Sequence, residues 1–441
     1  MADAPANLGS NAWRASFQER LHAQARLARL GHWRSVAPRP PRFVDGNQAH
    51  YLHDGRMHRE WMIAAIDRAQ RRVDLEMYIF SPDEAGTLVR DALVRAAKRG
   101  VAVRLLYDSI GSNAAGADFF EPITLAGGHV VEFNPVAPWR LRMGRLGRKQ
   151  DWAPGFRNHR KLLVCDAPLA WARHPCGAGE APAPEETVRD ETRCALAITG
   201  GRNIGDEYMT HPLGEGQWRD CGVVIFGPVA CDLAEMFDAM WFHADGPDTT
   251  VPRLEGPPAG DLAVLALSSQ PGFINLLQWS LSRLTQAVRD ELRISCAYFI
   301  PSVRWRRTLA QVARRTGRCA LLVPQTSDVP IVDAASRHLW GGLLKAGVAI
   351  YRYAAEVLHE KTYIYDARVT VIGSSNIDPR SFRFNYELSV VVVGEAFAKP
   401  VIAWYEDDLA RSERYTLDTW RARPVWQKVS DWFWALWRSH L

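Results

Sequence analysis

The sequence predicts an α/β protein built from two homologous lobes, each with a central mixed β-sheet flanked by helices. The first observation is the motif H-x-K-x4-D, which begins at His159 and again at His359. The second is a glycine-rich turn ending in asparagine after each copy, at residues 200–203 and 373–376. The third is an order of strands and helices that recurs before both motifs. Self-similarity over such a distance indicates a duplicated unit.

The elements of the two lobes correspond in chain order. Residues 74–108 read as a strand, an apolar-periodic helix closed by glycine, and a second strand. Residues 293–328 repeat this scheme, and each block is followed by another helix that ends near a glycine. The next strands, at 128–133 and 347–351, lead into the motif strands. Strands that alternate with helices of these lengths indicate βαβ units and a largely parallel or mixed sheet.

Composition sets the predicted domain boundaries. We expect a basic N-terminal extension over residues 1–55, a first lobe over 56–250 and a second lobe over 251–441, because prolines and glycines interrupt regular structure at 245–265. Residues 167–193 are rich in Pro, Ala, Gly and Glu, whereas the matching gap in the second lobe is only a few residues long. This composition favours a solvated insertion in the first lobe over an ordered lid.

The charge distribution argues against a long nucleic acid as partner. The 441 residues carry a formal net charge of +5. The excess is confined to residues 1–42, where seven arginines face only two acidic residues, so the remainder of the chain is balanced. A protein that grips a nucleic acid usually carries its positive excess across the binding face.

The cysteine and hydropathy patterns limit the class of protein further. Seven cysteines are scattered without a C-x-x-C pair, which argues against a disulfide framework or a zinc site and favours a reducing compartment. A run of about 18 apolar residues is absent, so we expect no membrane-spanning helix. Binding to a membrane surface stays compatible with both patterns.

The paired motifs supply the candidate catalytic groups. Period-2 spacing puts the histidine and the lysine of each motif on one face of a strand. Two such strands brought together would form a phosphodiester pocket lined by His159, Lys161, His359 and Lys361. One imidazole can attack phosphorus while the other, protonated, donates to the leaving oxygen. The lysines can neutralise the non-bridging oxygens and Asn203 and Asn376 can add hydrogen bonds, so no metal or other cofactor is required.

Two acidic residues are candidates to orient the histidines. Asp220 and Glu387 each precede or begin an apolar run that reads as a buried strand, where an unpaired carboxylate would be costly. A carboxylate on the far ring nitrogen of a histidine fixes its tautomer and raises its basicity. A histidine partner would account for both positions. Alternatively, each carboxylate caps a turn or pairs with an arginine.

These residues carry a resemblance to a known family. The two motifs, their glycine turns and the duplicated lobes resemble the phospholipase D superfamily. Further segments are similar to bacterial cardiolipin synthases of the phospholipase D type, namely residues 78–84, 96–101, 108–112, 298–301, 358–361, 373–381 and 385–387. The resemblance covers roughly residues 60–420, which is most of the chain.

The resemblance implies a duplicated phospholipase D fold, with two lobes related by a pseudo-twofold axis. It implies that His159 is the nucleophile and His359 the general acid and base, although the near symmetry of the motifs leaves the reverse order open. Asp166 and Asp366 belong to the catalytic motifs. Because they lie five residues beyond the lysines, we expect them to stabilise the strand ends rather than touch substrate.

The chain departs from the family pattern at three places. One is the insertion at 167–193, and another is Arg202 within the first glycine turn. The third is the lack of the N-terminal transmembrane hairpin that longer synthases have. This last difference favours a shorter, peripherally bound type.

Two segments bear on the nature of the substrate. Within residues 426–441, Val429, Trp432, Phe433 and Leu436 form an apolar stripe at helical spacing. Such a helix either lies in a bilayer interface or packs onto the second lobe. A basic cluster before the first motif would suit anionic headgroups, a nucleic-acid backbone or plain solvent, and it consists of Arg140, Arg142, Arg145, Arg148 and Lys149.

The resulting hypothesis is a cardiolipin synthase, a phosphatidyltransferase that needs no cofactor. It would move a phosphatidyl group from one phosphatidylglycerol to another through a phosphohistidine and release glycerol. We expect an anionic phospholipid membrane as partner, no nucleic acid, and a cytoplasmic protein bound peripherally to the inner cell membrane. The alternatives are a phospholipid hydrolase, with water as acceptor, and a metal-independent phosphodiesterase nuclease.

Overall fold

The structure, a computed structural model, describes residues 7–31, 39–136, 155–173, 192–211, 215–272 and 275–438. Its helices are α1 (Asn11–Gly31), α2 (Gly55–Arg68), α3 (Glu84–Lys98), α4 (Ala117–Leu125), α5 (Asp206–Met209), α6 (Pro228–His243), α7 (Leu276–Ala287), α8 (Val303–Thr316), α9 (Pro330–Lys345), α10 (Pro379–Arg383), α11 (Glu395–Ala410), α12 (Leu417–Ala422) and α13 (Val425–Leu436). Its strands are β1 (Phe43–Leu52), β2 (Arg72–Met77), β3 (Ala102–Asp108), β4 (His129–Phe133), β5 (Arg157–Asn158), β6 (Leu162–Pro168), β7 (Arg193–Gly200), β8 (Gly222–Phe226), β9 (Leu262–Ser269), β10 (Leu292–Cys296), β11 (Cys319–Pro324), β12 (Ala349–Tyr353), β13 (Lys361–Tyr365), β14 (Val369–Gly373), β15 (Asn385–Val393) and β16 (Ser412–Tyr415).

One mixed sheet runs through both lobes. Its strand order is β16-β12-β11-β10-β13-β14-β15-β9-β1-β8-β7-β6-β2-β3-β4. Outward from β1, the first lobe runs β8-β7-β6-β2-β3-β4, and outward from β9 the second runs β15-β14-β13-β10-β11-β12. The strands correspond one to one, so a pseudo-twofold axis lies between β1 and β9. The prediction of a duplicated α/β fold with mixed sheets is confirmed.

The strand β1 joins the two lobes into one sheet. It pairs antiparallel with β8 of the first lobe and with β9 of the second, where Phe43 faces Leu265. This strand lies inside the stretch that the sequence assigned to a basic extension. The helix α1, from the same stretch, buries Trp13 and Phe17 in the core of the second lobe. The extension was predicted from the charge excess of residues 1–42, and net charge carries no information on strand pairing.

The motif strands are buried on both faces. Every residue of β6, β13 and β14 is buried, and near-continuous apolar runs are typical of strands with helices on both sides. One core cluster crosses the lobe boundary and joins Val164 and Ile225 to Ile364 and Val390. Residues of both lobes form this core, which therefore holds the ends of the motif strands and the segments that follow them in place.

Local sequence signals fix several helix ends. Asp54, Asp83 and Ser302 precede α2, α3 and α8, and each side chain accepts a hydrogen bond from a backbone N–H of the first turn. The helix α8 ends at Gly317, whose φ of +65° is the left-handed conformation that glycine adopts without strain. In the described ranges, no helix combines the length and the apolar character needed to span a bilayer.

Two stretches singled out in the sequence are covered only in part. The insertion begins with the end of β6 and a 3-10 turn over Leu169–Arg173, but its central residues 174–191 lie outside the described residues. The basic cluster at 140–149 lies outside them as well. Between α6 and β9, residues 244–261 form neither helix nor strand, as their prolines and glycines predict.

The motif aspartates anchor the connections that precede β2 and β10. The Asp166 carboxylate accepts backbone N–H bonds from Gln70, Arg71 and Arg72 at 2.9–3.1 Å, and the Arg193 guanidinium donates to it at 2.6 Å. The Asp366 carboxylate accepts the same kind of bonds from residues 289–291 at 2.9–3.1 Å. Each aspartate thus ties a helix-to-strand connection to the motif strand, which supports the expectation that these residues stabilise strand ends.

Removing this anchor is predicted to destabilise the fold. Asp166→Ala leaves three backbone donors and one guanidinium without their acceptor, which should lower the free energy of unfolding by about 2–4 kcal/mol. Chemical denaturation of the purified protein measures this loss, and Asp261→Ala, at an exposed position, serves as the control. A loss below about 1 kcal/mol for Asp166→Ala would contradict the anchoring role.

Candidate active site

Each motif histidine is held by the backbone of the opposite lobe. His159 follows β5, which pairs parallel with β15, and its N–H donates to the carbonyl of Tyr386 at 2.9 Å. His359 precedes β13, and its N–H donates to the carbonyl of Arg219, just before β8, at 2.8 Å. The two motifs therefore meet at the boundary between the lobes, and neither has its full backbone support within its own lobe.

The carboxylate partners are exchanged between the lobes in the same way. Nδ1 of His159 lies 3.0 Å from Glu387 Oε2, and Nδ1 of His359 lies 2.7 Å from Asp220 Oδ2. Both carboxylates are fully buried. A bond from Nδ1–H to a carboxylate leaves the lone pair of a neutral ring on Nε2. The structure thus brings together the histidines and the acidic residues that the sequence had proposed as partners.

Each glycine-rich turn lies beside one of these carboxylates. At Gly201 a Cβ atom would lie 2.3 Å from Asp220 Oδ1, so a side chain at this position would displace the carboxylate. At the equivalent position of the second lobe, Ser374 donates from its hydroxyl to Glu387 Oε2. The first turn therefore leaves space for the carboxylate of Asp220, whereas the second turn donates a hydrogen bond to the carboxylate of Glu387.

The lysines are buried beside the histidines. Nζ of Lys161 donates to the carbonyl of His159 at 2.8 Å and lies 5.1 Å from the centroid of the Tyr78 ring. Nζ of Lys361 lies 2.8 Å and 3.1 Å from the two ring nitrogens of His359. Burial lowers the pKa of Lys161 to about 7, and the charge of Lys361 acts in the same direction. Burial likewise lowers the pKa of Lys361. A bound anionic ligand would stabilise the charged form of both lysines.

The two asparagines hold the loops that follow β2 and β10. Oδ1 of Asn203 accepts from the N–H of Ile79 at 3.2 Å, and Oδ1 of Asn376 accepts from the N–H of Tyr298 at the same distance. Their carbonyl oxygens are thus occupied within the protein. The amide N–H groups are the part of each side chain that can donate to a ligand oxygen.

Aromatic side chains surround the imidazoles, and the sequence reasoning gave them no role. The ring centroid of Tyr78 lies 4.8 Å from that of His159. Tyr208, Trp218 and Tyr298 lie 5.7–6.1 Å from His359. The available signal was the matched position of Tyr78 and Tyr298 just after corresponding strands. These rings flank the two imidazoles, both of which are buried.

Two arginines differ in their relation to the site. Arg202, noted in the sequence as a departure in the first glycine turn, is fully buried and donates to the carbonyls of Tyr208 and His53 at 2.7 and 3.0 Å. These hydrogen bonds stabilise the first glycine turn. Arg380, which the sequence reasoning passed over, is exposed, and its charge contributes to a lower pKa at His159.

The electrostatics of the two pairs are unequal. Burial raises the pKa of Glu387 to about 7, against the charge of Lys161 and the bond from Ser374. Burial also disfavours the charged form of Asp220, but Lys361 and His359 outweigh it and lower its pKa to about 2. At neutral pH, Asp220 is a full carboxylate whereas Glu387 is near its midpoint.

The histidines differ in a corresponding way. Burial lowers the pKa of His159 well below its usual value, and the charges of Lys161, Lys361, His359 and Arg380 add to this effect. Burial and Lys361 also lower the pKa of His359, but the hydrogen bond and the charge of Asp220 oppose them. A neutral imidazole is therefore favoured at His159. The pKa of His359 is lowered as well, but there the Asp220 carboxylate opposes the effect and stabilises the protonated form.

The sequence and the fold match one protein family. A family model described as the phospholipase D-like domain of cardiolipin synthase matches residues 62–241 and 281–409. Cardiolipin synthase A of Pseudomonas fluorescens is 30% identical over 410 residues, covering 91% of this chain and 76% of that protein. The major cardiolipin synthase of Bacillus subtilis is 28% identical over 397 residues, covering 88% and 74%.

A solved structure supports the fold. The phosphatidylserine synthase of Haemophilus influenzae superposes with a TM-score of 0.61 at 13% identity, covering 91% of this chain and 97% of that one. The ranges that the family model matches lie in both lobes, and they include both motif strands and the positions of Asp220 and Glu387. The chain belongs to the cardiolipin synthase family of phospholipase D-like proteins.

Proposed function

We propose that this protein is a cardiolipin synthase that transfers a phosphatidyl group from one phosphatidylglycerol to another and releases glycerol. The observation that carries the proposal is the pair of imidazole–carboxylate contacts exchanged between the lobes, His159 with Glu387 and His359 with Asp220. Membership in the family and relatives named as cardiolipin synthases support the choice of reaction.

The first step is a displacement at phosphorus. Nε2 of His159 uses its lone pair to form a bond to phosphorus, and the bond from phosphorus to the glycerol headgroup oxygen breaks. The leaving oxygen takes the proton from the imidazolium of His359, so glycerol departs as a neutral alcohol. The products are a phosphatidyl-histidine and a neutral His359.

The second step reverses the proton transfer. The headgroup hydroxyl of a second phosphatidylglycerol gives its proton to His359 while its oxygen attacks phosphorus. The nitrogen–phosphorus bond breaks, which returns His159 to its neutral form and His359 to its protonated form. Cardiolipin leaves, and no proton or phosphate is gained or lost overall.

The assignment of unequal roles to the histidines rests on the electrostatics. An attacking imidazole must be neutral, and the groups around His159 act together to keep it so. A proton donor needs a stabilised cationic form, and the ionised Asp220 lies 2.7 Å from Nδ1 of His359. Lys161 and Lys361, with the amide groups of Asn203 and Asn376, would bind the non-bridging oxygens as negative charge builds up.

We further propose that the protein works on an anionic membrane surface, bound peripherally at the cytoplasmic face of the cell membrane. Both substrates of the proposed reaction reside in a bilayer. Described cysteines occur as free thiols, which agrees with a reducing compartment.

The histidine variants are predicted to separate the two roles. His159→Ala should lower the rate of cardiolipin formation by about a thousandfold or more and abolish the covalent adduct, since the nucleophile is lost. His359→Ala should lower the rate comparably but leave a phosphohistidine on His159. Labelled phosphatidylglycerol vesicles, lipid mass spectrometry and peptide mapping of the adduct provide the measurement.

The control for these variants is His129→Ala, an exposed histidine at the start of β4, which should act like the wild type. An adduct on His359 in place of His159 would reverse the roles. Phosphatidic acid as the only product would replace the synthase with a hydrolase.

The pH profile is predicted to depend on Glu387. Its carboxylate form orients His159, so kcat/KM should rise as the pH increases through the Glu387 pKa of about 7. The falling limb at higher pH arises as two groups lose their protons, namely Lys161, whose pKa is lowered to about 7, and the proton donor His359, whose pKa is also lowered. Glu387→Gln should lower kcat/KM by roughly 10²- to 10⁴-fold and remove the rising limb. The falling limb should move to lower pH, because the Glu387 carboxylate raises the pKa of Lys161.

Asp220→Asn is the matched variant for this experiment. Asp220 is ionised above a pH of about 2, so its replacement should reduce the rate while the rising limb near pH 7 persists. Detergent-dispersed phosphatidylglycerol keeps membrane binding out of the comparison. A rising limb that survives in Glu387→Gln would show that another group controls the ionisation of the site.

A further inference from the structure

The C-terminal helix α13 is attached through its charged side. Asp431 is fully buried and accepts hydrogen bonds from Nε and Nη2 of Arg337 on α9, at 3.0 and 2.8 Å. The guanidinium of Arg423, just before the helix, also donates to Asp431. Ala435, one turn further on, is buried as well. The helix is therefore docked on the second lobe by an ion-pair cluster and, on the same side, by Ala435.

Seven apolar residues are exposed on the opposite side of α13 and directly after it. Between 46% and 76% of the surface of each residue is accessible, and the seven are Val425, Trp426, Val429, Trp432, Phe433, Leu436 and Trp437. A helix packed against a protein core normally has the reverse polarity. Exposed apolar residues in a contiguous patch mark an interaction surface.

The neighbouring helix α8 supplies positive charge to the same area. Arg304, Arg306 and Arg307 in its first turns have no carboxylate within 4.0 Å among the described residues. Burial lowers the pKa of Arg306, and the charges of Arg438 and Arg307 add to the effect. Arg438, which follows α13, is therefore close enough to Arg306 to repel it. Such an uncompensated cluster favours an anionic partner.

The helix α13 lies near the part of the second lobe that holds His359. Trp434 of α13 packs against a small buried cluster that contains Ile300, Leu339 and, at its edge, Tyr298. The ring centroid of Tyr298 lies 6.1 Å from that of His359. One layer of side chains thus connects the helix to the proposed proton donor.

We propose that the exposed face of α13, together with the arginines at the start of α8, is a docking surface for an anionic lipid bilayer. Tryptophan and phenylalanine are suited to the interface between headgroups and acyl chains, and the arginines to the phosphates above it. The ion pairs of Asp431 keep the apolar side turned outward. This inference deepens the proposed function, since it places the active site at the surface that holds its lipid substrates.

The test measures binding without turnover. The full chain is sedimented with vesicles of phosphatidylcholine and phosphatidylserine, which contain no phosphatidylglycerol, and with vesicles of phosphatidylcholine alone. Wild-type protein should bind the anionic vesicles more tightly, and the combined Trp432→Ala and Phe433→Ala variant should bind them about tenfold less tightly or worse. Phe242→Ala, which removes an exposed aromatic ring on α6 of the first lobe, should leave binding unchanged.

A second pair of measurements isolates the charge and the fold. Arg306→Gln with Arg307→Gln should weaken binding to anionic vesicles and reduce its dependence on salt, with little effect on neutral vesicles. All variants should retain the thermal stability of the wild type and its rate on detergent-dispersed phosphatidylglycerol. Retention of both excludes unfolding as the cause of lost vesicle binding.

Two results would overturn the inference. One is unchanged vesicle binding in the α13 variant, and the other is a wild-type dimer in sedimentation equilibrium that the same variant converts to a monomer. The proposed reaction is tested independently of the docking surface. Vesicle binding through α13 without any cardiolipin formed would contradict the reaction and leave the docking surface in place.

Discussion

The site depends on an exchange of carboxylates between the lobes. A buried imidazole beside a buried lysine is costly unless an acid compensates for it, and in both halves that acid comes from the other lobe. Backbone hydrogen bonds follow the same exchange at Tyr386 and Arg219. Neither lobe completes this arrangement alone, and the continuous sheet through β1 and β9 joins the two halves of the proposed site.

A duplicated fold would give two equivalent histidines, whereas the proposed reaction needs one histidine to attack phosphorus and the other to donate a proton. Small departures from symmetry separate them. Gly201 leaves space beside Asp220, whereas Ser374 donates a hydrogen bond to Glu387. Asp220 is fully ionised at neutral pH, while burial holds the pKa of Glu387 near 7. The pKa of both histidines is lowered, but only at His359 does an ionised carboxylate partner, Asp220, oppose this effect and favour the protonated form.

The repeat made much of the fold predictable, because matched strands and glycine turns require corresponding elements. Asp220 and Glu387 could be named as histidine partners because a carboxylate at the start of a buried strand needs compensation. Which histidine each one serves depends on the relative placement of the lobes, which no local pattern encodes. The central position of β1 was missed for the same reason. Its partners are β8 and β9, about 180 and 220 residues away in the chain.

The C-terminal helix illustrates a further limit of sequence patterns. Its apolar stripe was compatible with packing onto the second lobe or with a bilayer interface. The structure shows that the helix packs onto the second lobe through Asp431, Trp434 and Ala435, while the apolar stripe stays exposed on the other side. Hydropathy alone left the placement of the stripe open, and the ion pairs of Asp431 with Arg337 and Arg423 determine which side of the helix faces the protein.

The exchange of carboxylates is tested most directly by rapid-quench measurement of the phosphohistidine formed from labelled phosphatidylglycerol. If Glu387 serves His159, Glu387→Gln should slow formation of the adduct and lower its level below that of the wild type. If Asp220 serves His359, Asp220→Asn should slow transfer to the acceptor and raise the adduct level. The reverse pattern, or equal adduct levels in the two variants, would contradict the account.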